Sequence, residues 1–132
     1  MKELIGKTIE SLAVSPRGDY LLFRTTTRDV GYVTSGDCCS ETWFADILGV
    51  EALLGERVTQ VEEVNLPDYN ADDGRCRQDV DSVYCYKITT GKGRTDVIFR
   101  NSSNGYYGGE IELTKEKEPE GMIEITKDWS SD

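Results

Sequence analysis

The sequence predicts an α+β fold: a mostly antiparallel β-sheet of about six to seven strands, with one α-helix over residues 40–48 inserted after the third strand. Three observations lead there. Runs rich in β-branched and aromatic residues recur along the chain, separated by turn chemistry. One segment, 40–48, breaks that rhythm with apolar residues at helical spacing. A length of 132 residues with 37% hydrophobic content suits one domain with a single two-layer core.

Residues 7–15 and 20–26 read as the first two strands. Ser15-Pro16-Arg17-Gly18 lies between them, and proline followed by glycine two places on is good turn chemistry. The first strand has a competing reading, since Ile5, Ile9 and Leu12 can also line a helical face. Residues 29–35 form the third strand after a short polar turn at Thr27-Arg28.

In 40–48, Trp43, Phe44, Ile47 and Leu48 fall at i, i+1, i+4 and i+5, one face of a helix, with Glu41, Thr42 and Asp46 on the other. Ser40 or Asp37 can cap its first turn, and Glu41 favours the positive end. Gly49 ends it, and residues 50–54 read as a further turn stopped by Gly55. Residues 57–66 and 80–90 read as strands. Between them, Asp68, Asp72, Asp73 and Gly74 superficially suggest a calcium loop but lack the alternate acidic spacing and terminal glutamate of an EF-hand.

Residues 95–103 and 106–114 read as a last hairpin, completing a single α+β domain over 1–114. Residues 115–132 are a charged C-terminal extension with an edge strand over 122–126 and Trp129 as an anchor.

The formal net charge is -10, and neither half alone creates it: residues 1–66 carry 6 basic and 11 acidic side chains, residues 67–132 carry 9 and 14. Such a chain repels nucleic acid and anionic membrane, so neither is expected as a direct partner; it can also imitate nucleic acid to a basic protein. Histidine is absent, which removes the commonest general base and metal ligand. No phosphate-binding Gly-Lys-Ser/Thr loop, dinucleotide fingerprint or nucleophile elbow occurs. No catalytic residue, cofactor or metal is therefore expected. Cys38, Cys39, Cys76 and Cys85 have neither zinc-ribbon nor redox spacing and read as small buried hydrophobes. With no secretory leader and no membrane-spanning run, the expected compartment is the cytoplasm.

The candidate ligand-binding residues are Arg100, Asn101, Ser102, Asn104, Tyr106, Tyr107, Gly108 and Gly109, joined by Asp37, Ser40 and Glu41 from the turn before the helix. Asn104-Gly105 signals a two-residue type I′ turn. That register would set Arg100 opposite Gly109 and Asn101 opposite Gly108, leaving slots bordered by Tyr106 and Tyr107. A base or ribose could stack there while an amide and a guanidinium bind its polar groups. Paired glycines can equally mark a bulge or a sharply twisted strand.

Two segments also carry a resemblance: Gly36-Asp37-Cys38-Cys39-Ser40-Glu41-Thr42-Trp43-Phe44, and Phe99-Arg100-Asn101-Ser102-Ser103-Asn104-Gly105-Tyr106-Tyr107-Gly108-Gly109. Together they resemble a family of small phage and bacterial proteins known as a domain of unknown function, over roughly residues 4–114. The resemblance implies a phage or prophage setting and that the two motifs belong together; it brings no reaction. The expected function is a non-catalytic protein that sequesters a nucleotide-like small molecule in host counter-defence. The alternatives are an acidic inhibitor of a basic host protein, resting on Asp46, Glu51, Glu56 and Glu62 against Arg57, and a structural or assembly domain that forms a homo-oligomer.

Overall fold

The computed structural model of the chain describes residues 1–36, 41–65, 80–103 and 109–131. The strands are β1 (Ile9–Val14), β2 (Tyr20–Thr25), β3 (Val30–Gly36), β4 (Glu41–Leu48), β5 (Val58–Asn65), β6 (Val80–Thr90), β7 (Arg94–Ser103), β8 (Gly109–Thr114), β9 (Ile123–Glu124) and β10 (Trp129–Ser130). They make two five-stranded antiparallel sheets, ordered β8-β3-β2-β1-β9 and β10-β4-β7-β6-β5. Leu12, Val14, Leu21, Phe23 and Tyr32 of the first sheet share one core with Phe44, Ile47, Ile88, Val97 and Phe99 of the second.

This overturns the α+β expectation. Among the described residues the only helical turns are two short 3-10 pieces, Lys2–Leu4 and Val50–Ala52. The segment read as a helix is β4, and a bulge explains the error. The register of β4 on β7 shifts between Phe44 and Asp46, so Phe44 faces Phe99 while Ile47 faces Val97. Regular alternation would send Phe44 and Ile47 to opposite faces; the extra residue turns both into the core. A bulged strand thereby acquires the spacing of a helical face.

The predicted hairpin also does not form. β7 is a central strand, paired with β4 on one side and β6 on the other, which leaves β8 no edge to join. β8 instead pairs with β3 in the other sheet, with Gly109 opposite Gly36 and Ile111 opposite Thr34. Asn104-Gly105 specifies only local geometry, whereas the apolar run Val97, Ile98 and Phe99, buried on both faces, demands neighbours on both sides.

The C-terminal segment belongs to both sheets. β9 lies along β1 and β10 along β4. Ile125, between them, is buried and its amide donates to the Leu12 carbonyl at 2.8 Å.

Candidate functional site

The two sequence motifs are paired with each other. Glu41, Thr42, Trp43 and Phe44 on β4 stand opposite Ser102, Asn101, Arg100 and Phe99 on β7. At the far end of each motif, Gly36 of β3 stands opposite Gly109 of β8. Residues 37–40 and 104–108 therefore both connect one sheet to the other, and the strand ends that receive them lie together. Val80, the start of β6, joins the same end by pairing with Ser103.

Alternation along β7 sends Asn101 inward with Val97 and Phe99, and Arg100 to the other face with Ile98. Both are 1% exposed. The Asn101 side-chain amide donates to Thr42 Oγ1 at 2.9 Å, joining the motifs inside the sandwich. On the opposite face the Arg100 guanidinium carbon lies 5.7 Å from the centre of the Trp43 ring, within cation–π range. Val83, Cys85 and Ile98 are buried on that same face.

This changes what two of the candidate residues can do. Arg100 and Asn101 are interior braces, with Trp43 and Thr42 as their neighbours, and do not border glycine slots. Thr42 and Trp43 are the packing partners of Asn101 and Arg100 that sequence reasoning missed: Thr42 went to the solvent face of a helix and Trp43 to its core face. A β-branched residue next to two aromatics was the available signal for a strand. Ser102, Gly109 and Glu41 are placed by backbone register at the same end. Asp37, Ser40, Asn104, Tyr106, Tyr107 and Gly108 lie outside the described residues, as do Cys38, Cys39 and Cys76.

Cys85 is buried, and burial pushes its thiol up to about 11, so it is protonated and inert at neutral pH. No group of three or more acidic or cysteine side chains suited to a metal occurs among the described residues. Among the described residues no helix is long and apolar enough to cross a membrane.

Over residues 2–113 the chain matches the family described as Domain of unknown function (DUF7448). It is similar to the Uncharacterized protein L278 of Acanthamoeba polyphaga mimivirus, 32% identical over 98 residues, which covers 70% of this chain and 74% of that one. No solved structure matches the chain. The chain belongs to the DUF7448 family, with a relative in a virus.

Proposed function

We propose that this protein is a non-catalytic recognition module of viral type, which holds a nucleotide-like small molecule at the end of the sandwich where its two motifs meet. The observation that carries this reading is the in-register pairing of residues 41–44 with 99–102. It spends the buried Arg100 and Asn101 on fixing the roots of segments 37–40 and 104–108. Those two segments then supply Asp37, Ser40, Asn104, Tyr106, Tyr107 and Gly108: acceptors, an amide, two stacking rings and bare backbone. Phenol rings stack on bases at a gain of about 1–3 kcal/mol each, without demanding a particular base. Nothing in this set requires a reacting group, so the reading is sequestration, and the viral relative suits a role against a host signal.

The test is thermal denaturation with and without cyclic dinucleotides and ADP-ribose, on the wild-type chain and on Tyr106→Ala and Tyr107→Ala. A ligand present at a hundredfold its Kd adds about 2.7 kcal/mol, a shift of several degrees for a domain of this size. Each tyrosine variant should keep the melting point of the free protein and lose most of the ligand shift. If no nucleotide moves the transition, the reading fails.

A further inference from the structure

A concavity lies at the end of the first sheet opposite the motifs, where β3 begins and β8 ends. Its volume is about 520 Å³, and its lining includes the cations Lys7, Arg28 and Lys115, the carboxylates Glu3 and Asp29, and the apolar Val30 and Leu113. Its size falls in the range of small-molecule sites. Its charge runs against the rest of the molecule. A chain with 25 acidic and 15 basic residues here brings together three cations from three separate stretches of sequence. Among the described residues, none of Lys7, Arg28 and Lys115 forms an ion pair, whereas Arg24 and Arg94 do.

Two carboxylates, Glu3 and Asp29, stand beside the three cations and leave an excess of one positive charge. Glu3 accepts a hydrogen bond from the buried Tyr32 hydroxyl at 2.8 Å and lies 3.8 Å from the amino terminus. Asp29 is exposed on the β2–β3 turn. Two of the cations sit on a prepared frame. Thr25 Oγ1 donates to the Arg28 carbonyl at 2.7 Å and fixes that turn. The Lys7 ammonium donates to Thr27 Oγ1 at 3.4 Å, which holds its charge beside the same turn. The wall is apolar: Val30 is nearly covered, but Leu113 is 50% exposed, one of few large hydrophobic side chains left to solvent among the described residues. Apolar surface beside unpaired cations fits an amphiphilic anion better than it fits water.

We propose that this concavity binds a small organic phosphate monoester, its phosphate held by Lys7, Arg28 and Lys115 and its apolar body against Val30 and Leu113. A guanidinium offers two parallel donors to phosphate and the ammonium groups add point charge. The body covers Leu113, an area that gains about 25 cal/mol per Å² removed from water. This site is independent of the motif end and requires no residue there.

The probe is phenyl phosphate, titrated into the full chain at low salt and followed by amide chemical shifts, with inorganic phosphate and phenol as separate arms. The proposal expects saturable shifts centred on residues 28–30 and 113–115, and affinity at least about tenfold above that for either arm, as joint use of charge and apolar wall requires. Lys7→Gln combined with Arg28→Gln should weaken phenyl phosphate by about tenfold or more while the melting point stays put, because both heads are at the surface. Leu113→Ser, which leaves the charges intact, should erase the advantage over inorganic phosphate. Equal affinity for inorganic phosphate, shifts confined to the motif end, or indifference to the Lys7/Arg28 variant would each overturn it.

Discussion

The Asn101 side chain donates to the Thr42 hydroxyl across β7 and β4 at 2.9 Å, with both residues buried. This contact fastens the first motif to the second from inside. A residue so placed acts on stability before it acts on any ligand. Asn101→Ala should lower unfolding free energy by about 1–3 kcal/mol, because it removes a buried hydrogen bond and opens a small void. Thr42→Val, nearly the same shape, should cost less, and the two changes should not add. Urea denaturation of both singles and the double measures the coupling. An unchanged midpoint for Asn101→Ala would return that side chain to the surface role the sequence first suggested.

Arg100 over Trp43 is the matching contact on the other face. A ligand arginine can be truncated with the fold intact; a buried arginine cannot. Arg100→Ala should destabilise by about 3 kcal/mol or more through lost packing and an emptied volume, and Arg100→Lys should recover only part of it. Tryptophan emission should shift to the red as Trp43 gains water. Circular dichroism and emission on the purified variants decide it: a cooperative melt at the wild-type temperature would exclude a bracing role.

The contrast between these two residues and their expected roles shows how much could be read from the chain. The strands at 9–14, 20–25, 30–36, 58–65, 80–90, 94–103 and 109–114 follow from local β-branched and aromatic runs, and the sequence reading found each within a few residues. Residues 50–52 do turn helically, and Gly55, at a φ of +80°, follows them as expected. Two things were not local. The bulge in β4 depends on how Phe44 and Ile47 meet Phe99 and Val97, residues some fifty positions away. The sheet that β8 joins depends on β7 already having two neighbours. Segment pairing across sheets decided both, and with them whether Arg100 and Asn101 face a ligand or the interior. That the two motifs stand together was expected from the polar turn at 37–41 and from the resemblance, but their strand-to-strand register was not.

The Glu3–Tyr32 pair predicts how stability varies with pH. The Tyr32 hydroxyl donates to Glu3 and holds its carboxyl below the ordinary value near 4.5. Burial first, and Glu3 second, raise Tyr32 above its ordinary value of 10.0. A lowered carboxyl contributes stability that is present above about pH 4.5 and lost as pH falls through the folded-state value. A raised phenol contributes stability that is present below pH 10 and lost as pH climbs past it. Tyr32→Phe should therefore flatten both limbs of the stability–pH curve. The acid limb should change by less than about 1 kcal/mol, since Glu3 is largely solvated. Melting points from pH 3 to 11 on both proteins test this, and parallel curves would refute the coupling.

The tail beyond the family match offers the most demanding prediction. Residues 115–131 lie outside the matched span of 2–113, yet they cover an edge of each sheet. Tyr20 donates to the Glu116 carbonyl at 2.7 Å, Ile125 is buried, and Asp128 Oδ1 accepts from the amide of Gly49 at 2.7 Å. Gly49 has a φ of +76°, and a Cβ there would collide with the Arg94 carbonyl oxygen, so the chain turns from β4 on a residue that only glycine satisfies. Ending the chain after Thr114 removes the burial of Ile125, about 2–3 kcal/mol by itself, and bares the backbone of β1 and β4. The truncated protein should melt lower and associate with concentration in sedimentation velocity, since unpaired strand edges template pairing. Asp128→Ala should do less, costing about 1 kcal/mol and raising hydrogen exchange at Gly49 without association. If the truncated chain stays monomeric and melts with the wild type, the tail is not a structural part of either sheet.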